Sequence, residues 1–292
     1  MTEYIGRFAP SPTGLLHIGS LIGALASYLD AKANKGLWLV RIEDLDPPRE
    51  MPGAASAILN SLQHHGMHWD GEVLWQSQRH IAYRQVIEQL LDTGQAFYCT
   101  CSRNDLQTHA GIYPGTCRGQ QLQPNQKFAI RLQVDDKTVS FDDAIQGHFS
   151  QQLQQQVGDV VLQRKDGLFA YQLAVVVDDA YQGISHIVRG SDLLDSTARQ
   201  AFLQQVLGFI TPHYAHFPVI TNQQGQKLSK QTLAEPLCAA TAYDNVLKAL
   251  AFLNQPPPPT HLHKRLEETI AWATAHWSPE NISNTLGIAE AK

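Results

Sequence analysis

The constraint that narrows this chain most is a turn placed between a strand and a helix near its start. Glu3–Phe8 reads as a short strand, and Pro10-Ser11-Pro12-Thr13-Gly14 follows it. Each proline fixes its own φ and restrains its neighbour, so the turn is stiff. Leu15, Ile18, Leu21, Ile22, Leu25 and Leu29 then recur at helical spacing, and Leu37–Ile42 is a buried strand that ends at Glu43-Asp44-Leu45-Asp46. Strand, helix and strand at these distances make a βαβ unit and therefore a parallel sheet, which predicts an α/β fold.

The same turn carries chemistry. His17, Gly19 and Ser20 fall at the helix start, where free N–H groups and the helix dipole favour a phosphate. Gly14 and Gly19 leave room for a nucleotide, and His17 can donate to phosphate oxygens as charge builds. Some 210 residues on, Lys227-Leu228-Ser229-Lys230 follows Gly225 on a polar loop. Read together, the two stretches describe a pocket that grips the triphosphate of ATP from two sides.

Along the rest of the chain, 54–65 and 78–93 read as helices, 127–134 and 160–164 as strands, and 146–156 as a weakly patterned Gln-rich stretch. The run Leu173–Asp179 returns to the apolar style of the opening sheet. A strand at 184–189 and a helix at 194–207 follow. After about residue 240 the pattern is helical, broken at Pro256–Pro259, with a further helix start at Ser278-Pro279-Glu280.

Three of the four cysteines, Cys99, Cys101 and Cys117, fall within 19 residues. Three sulfurs and one N/O donor suit tetrahedral Zn²⁺, with Tyr113 or His109 as the fourth donor; three reduced thiols are the other reading. Cys238 reads as an isolated buried thiol. His64, His65 and His68 read as surface residues.

The net charge of −5 is not the basic footprint of a nonspecific nucleic-acid binder, although a local basic face would still accommodate one. Apolar runs break within about ten residues, short of a bilayer span. No signal peptide is visible, so a cytoplasmic location is expected.

The joined motifs resemble those of the class I aminoacyl-tRNA synthetases of the glutamyl/glutaminyl group. Arg7–Ser20 matches the HIGH signature in that group's form, and Lys227–Lys230 matches the KMSKS loop, with Leu228 for Met and Gln231 for the final Ser. The likeness extends through Val40–Asp46, Asp166–Ala174, Val177–Asp179 and Val188–Leu194, and covers about residues 1–235. It implies a Rossmann-like catalytic domain in two halves, 1–95 and 176–240, an inserted zinc-bearing α+β acceptor-type subdomain at 96–175, and a helical tail at 241–292.

The resemblance implies roles as well. His17, Lys227 and Lys230 would be catalytic. Pro12, Gly14, His17, Gly19, Ser20, Lys227, Ser229 and Lys230 would hold ATP, with Mg²⁺. Arg7, Ser11, Glu43, Tyr171 and Arg189 would surround the amino acid. Glutamate fits that set, since its side-chain carboxylate suits a guanidinium fork and Glu43 suits its ammonium group. Some bacterial members hold structural zinc on a Cys-x-Cys pair, a tyrosine and a cysteine, which selects Cys99, Cys101, Tyr113 and Cys117, with His109 the alternative to Tyr113.

The sequence runs about 60 residues beyond the lysine loop, so an anticodon-reading domain is not expected. It thus resembles a truncated paralogue of the group, in which glutamate is activated with ATP and passed to queuosine in the anticodon loop of tRNA(Asp). The rival expectations are a minimal synthetase charging a tRNA 3′ end, a nonenzymatic RNA-binding relic, and an unrelated nucleotidyltransferase. A monomer is expected.

Overall fold

The computed structural model describes residues 3–107, 109–120, 127–222 and 235–289. The opening βαβ unit forms as expected. Strand β1 (Ile5–Phe8) leads through the Pro/Gly turn into helix α1 (Ile18–Ala33) and returns as β2 (Leu37–Ile42). β1 and β2 pair in parallel with Arg7 opposite Leu39. Helix α2 (Ala54–His64) then leads to a short third strand, β3 (Leu74–Trp75), parallel to β2.

Helix α3 (His80–Asp92) carries the chain into a small antiparallel layer. There β4 (Ala96–Cys99), the short helix α4 (Arg103–Gln107) and β5 (Ala129–Leu132) come first. A hairpin of β6 (Thr138–Asp143) and β7 (Gly147–Gln152) follows, then the turn α5 (Leu153–Gln156) and β8 (Val160–Gln163). β4, β5 and β8 form one antiparallel sheet. The weakly patterned stretch at 146–156 thus holds a strand, β7, whose half-exposed residues give no alternation to read.

The run Leu173–Asp179 is not a strand. It lies in helix α6 (Tyr171–Tyr181), and Leu173 through Asp179 are all buried. A helix enclosed on every face has no polar stripe, so its periodicity is hidden.

β9 (His186–Gly190), α7 (Leu194–Leu207) and β10 (His213–Phe217) complete the parallel set, with β9 and β10 in register and β10 also beside β6. The Ser185 N–H donates to Ile5 O at 3.0 Å, which seats β9 against β1. The carboxyl ends of β1, β2 and β9 therefore open on one side, where open parallel sheets bind ligands.

After β11 (Val219–Thr221), helices α8 (Ala242–Phe252) and α9 (Leu266–Ala275) pack against α1. Val246, Ala249, Leu250, Ile270 and Ala273 share one core with Leu21, Leu25, Leu29 and Trp38. The last strand, β12 (Gly287–Ala289), pairs in parallel with β11. Ser278-Pro279-Glu280 opens only a single 3-10 turn.

Two burial expectations are corrected. Cys238 is exposed, because it stands just before α8 on the outer side of the turn that starts it. His65 is 1% exposed: its Nδ1 hydrogen-bonds with Ser61 O at 2.7 Å, and Asn245 of α8 approaches its Nε2. His68 is exposed as expected, with Glu267 3.6 Å away. No helix among the described residues is long and apolar enough to cross a membrane.

Candidate active site

Where β1, β2 and β9 end, a cavity of about 540 Å³ opens. Arg7, Ser11, His17, Gly19, Ser20, Glu43, Tyr171 and Arg189 all stand on its wall. Pro12 and Gly14 lie buried in the turn beneath, and Thr13 takes the wall position between them. The lysine loop, with Lys227, Ser229 and Lys230, lies outside the described residues.

His17 is the N-cap of α1, with its Nδ1 accepting the Gly19 N–H at 3.1 Å. A neutral ring so placed carries its proton on Nε2 and can donate it to an anion. A Cβ on Gly19 would come within 3.1 Å of that ring, so a glycine lets the imidazole lie flat over the first turn. Gly19 and Ser20 of this first turn border the cavity, and a helix N-terminus so placed suits a phosphate.

Arg7 and Arg189 line the cavity too, and Arg41 is fully buried beside the Asp179 that Arg7 contacts. Arg7 Nε is 3.2 Å from Asp179 Oδ1, and Arg41 Nη1 is 2.7 Å from the same oxygen. Arg41 also reaches Glu43 at 3.4 Å. Two cations and two anions balance here. Burial would push the Asp179 carboxyl up, but the charges of Arg7 and Arg41 and their hydrogen bonds hold it below its ordinary value. Glu43 goes the other way: burial raises its pKa despite Arg41 and Arg7. An incoming ammonium group would offset that desolvation.

Arg189 differs. It is 6% exposed, and its hydrogen-bond partners among the described residues are uncharged groups: His216 at 3.0 Å from Nε, and Thr197 and Gln200 each at 2.7 Å from Nη2. Its Nη1 is buried and has no hydrogen-bond partner among the described residues. A buried cation with an unused donor on a cavity wall is a site for an anion. Tyr171 lies beside it, its hydroxyl pKa raised chiefly by burial, against the lowering charge of Arg189.

Sequence reasoning missed Arg41 and Asp179 as site residues and passed over Asp143, Thr197, Gln200 and His216. A signal existed for the first two: a charge inside the apolar runs Leu37–Ile42 and Val175–Asp179 has to find a buried partner.

In the antiparallel layer the thiols of Cys99, Cys101 and Cys117 lie within 4.8 Å of one another. Cys101 and Cys117 sulfurs are 3.4 Å apart. Tyr113 is 3% exposed, and its hydroxyl oxygen accepts the Cys117 N–H at 2.8 Å. The segment is pinned at Gly158, which has φ 74°, and whose Cβ, if it had one, would stand 2.3 Å from the Tyr113 carbonyl oxygen. Burial opposes ionisation of Cys117, yet hydrogen bonds from Tyr113, Thr100 and Cys101 bring its pKa to about 6. Cys101 is pushed up to about 12, first by burial and then by Cys117 and Cys99. The three thiols could hold a metal ion. His109 is not among the three grouped thiols; it lines a pocket that Tyr113, Ile112 and Gln154 also border.

Comparison with known proteins accords with this geometry. A family model described as "tRNA synthetases class I (E and Q), catalytic domain" matches residues 5–246. The chain is thus a ligase of the class I aminoacyl-tRNA synthetase type. A crystal structure of the glutamate-tRNA synthetase from Elizabethkingia anophelis superposes with a TM-score of 0.81 at 26% identity, covering 99% of this chain and 68% of that one. A glutamate tRNA ligase from Elizabethkingia meningosepticum, in complex with its amino acid, gives 0.80 at 26% identity, covering 98% and 67%. Over 290 residues the chain is 52% identical to the Glutamyl-Q tRNA(Asp) synthetase of Pseudomonas putida, covering 99% of this chain and 96% of that protein. The protein of the same name from Ectopseudomonas mendocina is 52% identical over 291 residues, covering 100% and 99%. The chain belongs to the glutamyl-Q tRNA(Asp) synthetase family.

Proposed function

We propose that this protein activates glutamate with ATP and transfers it to queuosine in the anticodon loop of tRNA(Asp). The observation that carries the first half is the Nη1 of Arg189, buried without a partner among the described residues, on a side chain that lines the same cavity as the α1 N-terminus. A carboxylate satisfies it and neutralises its charge; the amide oxygen of glutamine could accept the same hydrogen bond but would leave the buried cation without an anion. Tyr171 adds a hydroxyl, Arg7 a second positive charge, Ser11 a polar edge, and Glu43 receives the α-ammonium.

An oxygen of the glutamate α-carboxylate attacks the α-phosphorus of ATP. The bond from that phosphorus to the bridging oxygen breaks, and pyrophosphate leaves. His17 and the first turn of α1 meet the growing phosphate charge, joined by Lys227 and Lys230. Pro12 and Gly14 shape the turn; Gly19, Ser20 and Ser229 border the nucleotide, which arrives with Mg²⁺. Catalysis is positioning and electrostatics. A hydroxyl of the queuosine cyclopentenediol then attacks the glutamyl carbonyl, an ester forms, and AMP departs. The relatives' names support this acceptor.

Zn²⁺ would be held by Cys99, Cys101 and Cys117 with Tyr113 as the fourth donor. A closed set of this kind holds a fold together and leaves no position for a reacting group. A monomer working in the cytoplasm fits this reading.

Glutamate-dependent ATP–pyrophosphate exchange tests the activation step. Exchange with glutamate and not with glutamine is expected. The Arg189→Lys variant should raise the KM for glutamate by roughly 10- to 100-fold, the worth of one hydrogen bond between charged groups. Equal exchange with glutamine would overturn the reading of Arg189.

A further inference from the structure

Arg189 and His216 are register partners on the neighbouring strands β9 and β10, so their side chains lie on one face of the sheet. Asp143 ends β6 on the far side of β10, and His216 Nδ1 is 2.5 Å from its Oδ2. All three residues are buried.

The hydrogens in this chain of contacts are determined by its ends. The other Asp143 oxygen, Oδ1, accepts the backbone N–H groups of Ile145, Gln146 and His216 at 2.9–3.0 Å. A carboxylate held by that many donors stays ionised and acts only as an acceptor. The His216 proton therefore sits on Nδ1, and Nε2 presents a lone pair. That lone pair takes the Arg189 Nε–H at 3.0 Å, with the Thr197 hydroxyl also 3.0 Å from His216 Nε2. The Arg189 Nη2 group is meanwhile occupied by Thr197 and Gln200, and Gln200 is itself held by Gln172 at 2.8 Å. With Nε and Nη2 engaged, the guanidinium plane is held, and Nη1 is the donor left without a partner among the described residues, on a side chain that lines the cavity.

We propose that Asp143 and His216 are positioning residues for amino-acid recognition: Asp143 sets the His216 tautomer, and His216 locks Arg189 with one donor presented to the substrate carboxylate. Neither touches the substrate. The opposite tautomer, or an imidazolium, would turn an N–H toward the Arg189 Nε–H and break the lock. The proposal rests on the reading of Arg189 given above.

The test is ATP–pyrophosphate exchange by the full chain carrying His216→Leu, His216→Gln, Asp143→Asn or, in parallel, Arg189→Lys, with melting temperatures recorded for each. His216→Leu should raise the glutamate KM on the order of 10- to 100-fold while the ATP KM stays within about twofold, since one charge-assisted hydrogen bond is lost at one substrate only. His216→Gln, whose amide oxygen can accept from Arg189 Nε, should recover most of that loss; a purely structural role for the ring would not produce this rescue. Asp143→Asn should move the glutamate KM in the same direction as His216→Leu, and it carries the test with His216→Gln if the leucine variant fails to fold. An unchanged glutamate KM, or glutamate and ATP KM values rising together, overturns the proposal. If Arg189→Lys raises the glutamate KM and the His216 and Asp143 variants do not, the relay falls and the reading of Arg189 stands. If Arg189→Lys changes nothing, both fall.

Discussion

Arg7 and Arg41, on adjacent parallel strands, close on the same oxygen of Asp179, at 3.2 and 2.7 Å. The contact ties α6 to the carboxyl ends of β1 and β2, and so holds Glu43 and Tyr171 at one cavity. Its neighbour Asp178 does the same toward α3, accepting from Gln76, Arg79 and Tyr83. Two consecutive acids on a buried helix thus brace the substrate wall from two directions.

Asp179→Asn should leave two buried guanidinium groups short of an anion. The expected cost is about 3–5 kcal/mol of unfolding free energy, the usual result of removing one partner of a buried ion pair. Urea denaturation of the variant checks it. A loss below about 1 kcal/mol, the size of an ordinary surface change, would mean that solvent or Glu43 compensates.

The thiol cluster should carry about one zinc per chain, and a chelator should lower the melting temperature by several degrees. Cys117→Ser should lose most of the metal, as should Tyr113→Phe to a lesser degree. Metal analysis by plasma emission together with a thermal melt decides this. Metal-free protein with an unchanged melt would make the three cysteines plain reduced thiols.

Stability should fall on mild acidification. Burial lowers the pKa of His216, with Arg189 and Arg7 adding to the effect and Asp143 opposing it; Tyr214 stacks on the ring without charge. Burial likewise lowers His65 and His186. A histidine with a depressed folded value binds fewer protons folded than unfolded, so its contribution is present above 6.5 and is lost as pH drops below it. Glu43, raised by burial, acts in the opposite sense, and Asp143 and Asp179 matter only in stronger acid. The melting temperature should therefore drop between pH ~7.5 and ~5.5, and His216→Gln should flatten the slope. A flat profile in the parent protein would contradict the assigned His216 state.

The opening βαβ unit was legible because its helix is amphipathic and its turn is punctuated by Pro and Gly. Residues Arg7, Glu43, Tyr171 and Arg189 were legible through motif resemblance, and they do meet on one wall. Helix α6 was not legible, since burial on all faces erased its period. Nor was β7, whose half-exposed residues blur a period of two. The Asp143–His216–Arg189 chain links residues 27 and 73 positions apart on three strands, and only the register of β6, β9 and β10 brings them together. Cys238 misled because cysteine is usually buried, and a position just before a helix start was not weighed against that tendency.

The acceptor is the central claim, and the direct measurement is transfer of labelled glutamate, with ATP and Mg²⁺, to three RNAs in separate reactions: tRNA(Asp) with queuosine, tRNA(Asp) without it, and tRNA(Glu). Label on the queuosine-bearing tRNA(Asp) alone is the result expected. Label on tRNA(Glu), or on tRNA(Asp) lacking queuosine, would contradict the account.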